Sequence, residues 1–302
     1  MRFPSLFPTH TRSLRLIFLA LTVSSAGFVS ATTLPRESVI WTPDVVVAGS
    51  PELFRVTVPG ATSIDADWLG RRVEFFRGRE PNSWIALAGV DVEAAALPSV
   101  CRITAHTASG DIDLSRTIDV HAAHYRTGSL KVAPGFVEPS PEALARIQEE
   151  VKLKERVFSS SAATPLWTAS FRPPVAAPPT DSFGTRRMFN GTLASIHKGM
   201  DFRAAQGTPV KAGNSGVVVL AQPLYYEGNC VVIDHGLGLY TLSMHLSRID
   251  VHVGQVVATG DRLGLSGATG RVTGPHLHWA VRWQGAYLDP AKVLQLNLAG
   301  IR

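Results

Sequence analysis

The chain has 302 residues, a formal net charge of +5 and 45% apolar residues. This apolar fraction can build a sizeable core, so the composition excludes a wholly disordered chain, and the length allows two domains. Arg2, Arg12 and Arg15 lie in the first 31 residues, which hold no Asp or Glu, so the net charge of the remaining residues is close to neutral. Because there is also no basic run elsewhere, we expect no nucleic-acid partner.

Residues 1–31 are predicted to be a secretory signal peptide. Two arginines precede the apolar run Leu16–Val23, and residues 29–31 carry small side chains where a signal peptidase prefers them. The alternative is an uncleaved membrane anchor, but the run is shorter than the roughly 20 residues that span a bilayer. We therefore expect a periplasmic or secreted protein of the cell envelope, with no stable membrane span after cleavage.

Residues 32–130 alternate short β-type runs with clusters of Pro, Gly and Asp. Leu53–Val58 and Ser83–Leu87 are typical of these runs. About seven strands in roughly a hundred residues predict a small β-sandwich, which we expect to be immunoglobulin-like with a binding or regulatory role. Cys101 in this region and Cys230 further along are expected to be two separate buried thiols, although an exported protein could also pair them.

Residues 131–180 predict a linker made of one helix and a Pro-rich arm. Ser140 suits the N-cap and Pro141 the first helical position, and the helix is expected to end near Phe158. The prolines that follow predict a stiff, extended arm. Apolar residues of the arm such as Trp167 indicate that it lies against a domain surface.

Residues 181–290 contain 16 of the 26 glycines, and these separate short β-type runs. This pattern predicts an antiparallel β domain with many tight turns and little helix, followed by a C-terminal tail at residues 291–302. The predicted fold class is therefore mainly β.

Four histidines and one aspartate lie within this domain. His276 and His278 share one face of an extended strand, and His197 and Asp201, four residues apart, share another. Histidines and a carboxylate are the ligand types of a catalytic zinc site that keeps one position open for water, and further histidines, including His245, could transfer protons. The pattern favours hydrolysis, but the spacing alone does not say which three groups bind the metal.

Several stretches of this domain resemble the lysostaphin-type zinc endopeptidases, the M23 or LytM-like family. Among them are His197–Phe202, Gly228–Gly236, His245–Ser247 and Thr273–Trp279, and the resemblance extends over about residues 181–290. It implies a LytM-type peptidase fold for the C-terminal domain.

The resemblance also implies a role for each of the five residues. Zn²⁺ would be bound by His197, Asp201 and His278, and His245 and His276 would face the substrate as the catalytic pair. A histidine must then take the proton of the attacking water or hold the developing oxyanion, since the pattern offers no obvious glutamate base. Which of the two histidines is the base stays open.

The implied function is a secreted zinc metalloendopeptidase that hydrolyses peptide bonds in the stem peptides or cross-links of peptidoglycan. Arg186 is a candidate for binding a substrate carboxylate. Many relatives carry Tyr two residues before the position of His245, where this chain has Ser243, so substrate positioning is an open question. The alternatives are a non-catalytic peptidoglycan-binding or hydrolase-activator module, which the intact site disfavours, and a zinc protease acting on secreted proteins.

Overall fold

The computed structural model describes residues 38–130, 134–136, 138–189 and 192–301. Of the described residues, 46% are in strands and 10% are in helices, which confirms the predicted mainly-β class. The signal-peptide prediction for residues 1–31 lies outside the described ranges. Among the helices that the structure describes, none is long and apolar enough to cross a membrane.

The first half of the chain folds into two β-sheets that share one hydrophobic cluster. Their strands are β1 Val39–Thr42, β2 Val46–Val47, β3 Pro51–Thr57, β4 Ala61–Trp68, β5 Arg71–Glu74, β6 Phe76–Arg77, β7 Ser83–Gly89, β8 Pro98–Thr107 and β9 Gly110–His121. The strand orders are β1-β3-β7-β6 and β2-β9-β8-β4-β5. Phe54 from one sheet packs edge-on against Trp68 from the other, with ring centroids 5.3 Å apart. The immunoglobulin-like topology stays a prediction.

The segment between the halves contains β10 Thr127–Leu130, a 3-10 turn and helix α1 Pro141–Phe158. The predicted helix bounds are confirmed, because Ser140 caps the helix through a hydrogen bond from the backbone N–H of Ala143. The Pro-rich arm after α1 is packed against the protein, as expected, with Trp167 buried in the core.

The second half is built on a large antiparallel sheet of order β11-β14-β22-β18-β17-β16-β20, with β23 added beside β22. Two small sheets, β10-β12-β13 and β15-β21-β19, flank it. The strands are β11 Pro179–Asp181, β12 Arg186–Phe189, β13 Thr192–Ile196, β14 Met200–Phe202, β15 Pro209–Lys211, β16 Gly216–Leu224, β17 Gly228–Asp234, β18 Leu239–Leu246, β19 Arg248–Ile249, β20 Val256–Val257, β21 Arg262–Leu265, β22 Leu277–Trp283 and β23 Ala286–Leu288. Helix α2 spans Pro290–Val293.

The described residues of the two halves belong to one compact unit, and a single hydrophobic cluster contains side chains from both. Leu288 packs closely on Gly89, since a Cβ added to Gly89 would lie 2.3 Å from the Leu288 side chain. The segment expected to be a C-terminal tail is part of this packing, since Leu298 is buried and its N–H donates to Ser170 Oγ at 2.9 Å.

Cys101 and Cys230 are both free, buried thiols, which confirms the expectation of two separate cysteines. Burial raises the pKa of Cys101 to about 12 and also raises the pKa of Cys230. Neither is a reactive thiolate at neutral pH, so both act as small core side chains.

Candidate metal centre

The centre lies where β14 pairs with β22. Asp201 on β14 is directly opposite His278 on β22, so their side chains lie next to each other on one face of the sheet. His197 follows β13 immediately, and a bend at Gly199 leads into β14. The sequence suggested that His197 and Asp201 share one continuous strand, but the structure shows that they do not. The bend brings their side chains together instead.

The three side chains present their ligand atoms to one point. His197 Nε2 lies 3.0 Å from Asp201 Oδ1 and 2.9 Å from His278 Nδ1, and the last two atoms are 2.8 Å apart. All three residues are buried. His197 Nδ1 lies 2.9 Å from the backbone oxygen of Ser182, which can only accept a hydrogen bond. Nδ1 therefore carries the proton, and the Nε2 lone pair faces the other two ligand atoms.

This donor set fits a divalent metal with nitrogen and oxygen ligands. Ligand atoms at about 2.0–2.2 Å from a tetrahedral ion are roughly 3.3 Å apart, so an outward shift of a few tenths of an ångström would admit an ion. Gly199 shows how closely the site is built, because a Cβ at this position would lie 2.4 Å from His278 Nε2. The glycine therefore leaves room for the His278 ring.

The protonation states also suit metal binding. Burial alone would raise the pKa of Asp201, but the imidazoles of His197 and His278 outweigh burial and hold this pKa well below its usual range. Burial lowers the pKa of His278 to about 4. At neutral pH the aspartate is thus ionised and His278 is neutral, which are the forms that ligate a metal.

His245 and His276 lie beside this triad. Their ring centroids are 5.0 Å apart, and the ring of His245 is 6.0 Å from that of His278. His276 Nε2 lies 3.7 Å from Asp201 Oδ1. The structure therefore brings together all five residues that the sequence singled out.

Each of these two histidines is oriented by a backbone carbonyl. His245 Nδ1 donates to the oxygen of Thr269 at 2.8 Å, and His276 Nδ1 donates to that of Gly274 at 2.9 Å. In the neutral rings, Nε2 is therefore the free proton acceptor. Burial, reinforced by His278 and His276, lowers the pKa of His245 to about 3.

His245 also adopts an unusual backbone conformation. Its φ is +63°, a left-handed value that a residue with a side chain seldom adopts. Its N–H donates to the oxygen of Glu227 at 2.9 Å. This strain at the end of β18 turns the imidazole toward the triad, and such strain is characteristic of functional sites.

The five residues form the floor of an open cleft of about 870 Å³. Both halves of the chain contribute to its wall. Glu93, from the loop between β7 and β8, forms a salt bridge of 2.8 Å with Lys198, which follows His197 directly. The backbone N–H of Tyr287, another lining residue, donates to Asp91 at 2.9 Å.

Arg187, and not the predicted Arg186, lies on the cleft side. Adjacent residues of a strand point to opposite faces, and the Arg186 side chain is exposed and does not line the cleft. Arg187 Nη2 donates to Asp201 Oδ2 at 2.6 Å and to Asp181 Oδ2 at 2.8 Å. The geometry thus does not support Arg186 as the substrate-binding residue.

Tyr240 does not replace the tyrosine that is absent at Ser243. Its ring packs on Phe158 of α1, and its hydroxyl donates to the oxygen of Ser160 at 2.8 Å. Two other tyrosines, Tyr226 and Tyr287, do line the cleft. No sequence motif pointed to these two tyrosines, because each lies outside the histidine motifs.

Two further histidines lie apart from the centre. His235 is fully buried, and its ring contacts the backbone oxygen of Ser215 at 2.7 Å and Thr241 Oγ1 at 2.9 Å. It holds neighbouring chain segments together, as a structural histidine does. His252 is exposed.

An antiparallel sheet that carries a His–Asp–His triad and two more histidines on the floor of a cleft has the make-up of a metal-dependent hydrolase. Residues 195–290 match the model of peptidase family M23, and the chain carries a domain of that family. A Pseudomonas aeruginosa protein assigned to peptidase M23 has a crystal structure that matches with a TM-score of 0.64 and 29% identity, over 82% of this chain and 94% of that one.

Curated relatives match over part of the chain. The peptidoglycan DD-endopeptidase ShyA of Vibrio cholerae is 43% identical over 120 residues, which are 39% of this chain and 27% of that protein. The DD-carboxypeptidase/endopeptidase Mpg of Neisseria meningitidis is 42% identical over 98 residues, which are 32% of this chain and 23% of that protein. The match thus spans only about a quarter of the length of these relatives.

Proposed function

We propose that this protein is a zinc metalloendopeptidase of the cell envelope that hydrolyses peptide bonds in the stem peptides or cross-links of peptidoglycan. The observation that carries the proposal is the convergence of three ligand atoms within 3.0 Å of one another, beside two histidines whose Nε2 atoms are free. The substrate class is supported by relatives that are named peptidoglycan endopeptidases.

His197, Asp201 and His278 would hold the metal. Two nitrogens and one oxygen in a small, buried set suit zinc better than magnesium or calcium, which prefer all-oxygen sites. When bound, zinc makes water more acidic and polarises a carbonyl group.

His245 and His276 would move the protons of the reaction. A peptide that crosses the cleft over the triad would place its scissile carbonyl near both rings. One Nε2 accepts the proton of the attacking water, and an imidazolium then returns a proton to the nitrogen of the leaving amine. The pKa of His245, about 3, keeps this ring neutral at neutral pH. A buried imidazolium is also unstable, so it gives up its proton readily.

The wall of the cleft carries charges of both signs, as a stem peptide with free carboxylates and amines requires. Lys198 and Arg271 are among its cations, and Glu93 and Glu227 are among its anions. Because Glu93 comes from the first half of the chain, we infer that the N-terminal β region contributes directly to substrate binding and does not act only as a remote module.

Mass spectrometry of muropeptides tests this proposal. Bacterial sacculi are incubated with the purified zinc-loaded protein, with His278→Ala and with His245→Ala, and bound zinc is measured in each. We expect peptide-cleaved products from the wild type, loss of both zinc and cleavage in His278→Ala, and retained zinc with about 10²–10⁴-fold slower cleavage in His245→Ala. The exposed His252→Ala is the matched control and should behave as the wild type.

The same experiment separates the alternatives. A wild type that binds zinc and sacculi but releases no product would favour a binding or activator module. Cleavage of an unfolded protein substrate with intact muropeptides would favour a general zinc protease. Cleavage that persists in His278→Ala would contradict the assigned metal site.

A further inference from the structure

A network of two arginines and one aspartate supports the triad from one side. Arg187 Nη2 donates to Asp201 Oδ2, the carboxylate oxygen that does not contact the histidines. The same nitrogen donates to Asp181 Oδ2, and Nε of Arg187 donates to it as well at 3.2 Å. Asp181 Oδ2 lies 3.4 Å from Nδ1 of His197. Asp181 and Arg187 therefore link two of the three ligand side chains.

This network continues into the N-terminal half through Arg126. Arg126 Nη2 donates to Asp181 Oδ1, and Nε donates to Thr185 Oγ1 at 3.3 Å. The Arg126 carbonyl also accepts a hydrogen bond from the N–H of Arg186 at 2.9 Å, at the point where β10 joins β12. Strand β10 thus carries the chain that leaves the first two sheets to the edge of the metal centre.

The charges of the network are balanced and partly shielded from water. Two guanidinium groups face two carboxylates, and the Arg187 and Asp181 side chains are only 17% and 20% exposed. Burial alone would raise the pKa of Asp181, but Arg187, His197 and Arg126 together outweigh burial and keep this pKa below its usual value. Buried charges of this kind are retained where each is paired, and removing one partner leaves the other uncompensated.

We propose that Arg187 and Asp181 are positioning residues of the metal centre, and that Arg126 anchors them to the N-terminal half. Arg187 occupies Oδ2 of Asp201, so the carboxylate offers a single oxygen, Oδ1, to the two histidines. Asp181 holds Arg187 in place and lies against His197. This inference rests on the proposed metal site. Arg126, Asp181 and Arg187 all lie outside residues 195–290, the part that matches the family model.

The test measures metal affinity directly, with zinc titrated against a chromophoric chelator. We expect Arg187→Gln and Asp181→Asn to weaken zinc binding about 10–100-fold, the usual cost of losing a partner of a metal ligand. Arg187→Lys should restore only part of the affinity, because one ammonium cannot form the fork of bonds that a guanidinium forms. The Co²⁺-substituted protein should show a changed visible spectrum in Arg187→Gln, which a general loss of stability would not produce.

Two further variants make the result decisive, one as a control and one as a second test of the network. Arg203→Gln removes an exposed arginine two residues after Asp201 and should bind zinc as the wild type does. Arg126→Gln, at a side chain that is 59% exposed, should keep the fold and weaken zinc binding in the same direction by a smaller factor. It therefore tests the network even if Arg187→Gln fails to fold, as judged by circular dichroism.

Two outcomes would overturn the inference, and they are distinguishable. If the wild type binds zinc through His278 but Arg187→Gln and Arg126→Gln bind it equally well, the network has no positioning role and the proposed function stands. If zinc binding by the wild type does not depend on His278, the metal site itself fails, and the inference falls with it.

Discussion

The sharpest structural prediction concerns one methyl group at Gly199. The Cβ of Gly199→Ala would lie 2.4 Å from Nε2 and 2.6 Å from Cε1 of His278, and 2.7 Å from the backbone oxygen of Trp279. The ring cannot retreat easily, because its Nδ1 side already contacts His197 and Asp201. The carbonyl belongs to β22, whose position is fixed by pairing with β14 and β18. Either the ligand or the strand must move.

Relief of this clash needs a displacement of about 1 Å, since ordinary contacts of this type begin near 3.4 Å. Overpacking of this kind costs about 1–3 kcal/mol of folding free energy, and a displaced ligand lowers zinc affinity by roughly 10–100-fold or more. Both quantities are measured by thermal unfolding of the metal-free protein and by zinc titration.

Gly135→Ala is the matched control for this variant. No described atom lies within 4 Å of the Cβ that it adds, and Gly135 does not have a positive φ. We expect its zinc affinity and melting temperature to stay at the wild-type values or to rise slightly, because alanine restricts the unfolded chain. If Gly199→Ala bound zinc and cleaved sacculi as well as this control, the tight fit of His278 against residue 199 would be refuted.

Two further predictions concern stability. Zinc removal by a chelator should lower the melting temperature, because an ion present at 100 times its Kd stabilises the fold by about 2.7 kcal/mol, and His278→Ala should show no such drop. Glu52 is fully buried, and burial raises its pKa from 4.5 to about 8, so its stabilising contribution is complete below pH 4.5 and is lost as the pH rises toward 8. The melting temperature of Glu52→Gln should therefore equal that of the wild type near pH 4.5 and exceed it increasingly as the pH rises to 8. The corresponding difference in folding free energy has an upper limit of roughly 5 kcal/mol. A difference that is constant with pH would contradict this assignment.

The hydrogen bonds around Glu52 independently indicate that it is protonated. The Ser50 hydroxyl lies 2.8 Å from the Val47 oxygen and 2.6 Å from Glu52 Oε1, yet it has one proton to donate. Both contacts are satisfied if Ser50 donates to Val47 and accepts from a protonated Glu52. Glutamine can donate to Ser50 in the same way from its amide, so the substitution preserves the network.

The elements that could be predicted from sequence are those that depend on local chemistry. The start of α1 follows from Ser140 and Pro141, because capping requires only neighbouring residues. His276 and His278 lie on one side because they are two apart at the start of a strand. The meeting of Asp201 with His278 depends on strand register, which the family resemblance supplied and the spacing alone did not.

The contribution of Arg187 could not be predicted, because the sequence does not give the phase of its strand. Arg186 and Arg187 are adjacent, and only the pairing of β12 with β13 decides which of them faces Asp201. That pairing contains an irregularity between Arg187 and Met188, so even a correct strand assignment would have left the facing residue ambiguous.

The contacts between the two halves of the chain could not be predicted from the sequence either. They determine which variants can test the role of the N-terminal region. Glu93 contacts Lys198 from 105 residues away, and Arg126 contacts Asp181 beside the triad. Removal of residues 32–130 would therefore also remove Arg126 and uncover Leu288, so a loss of activity would not isolate substrate docking. Glu93→Gln is the cleaner perturbation, because it removes one charge from the cleft wall and leaves the core and the metal network intact.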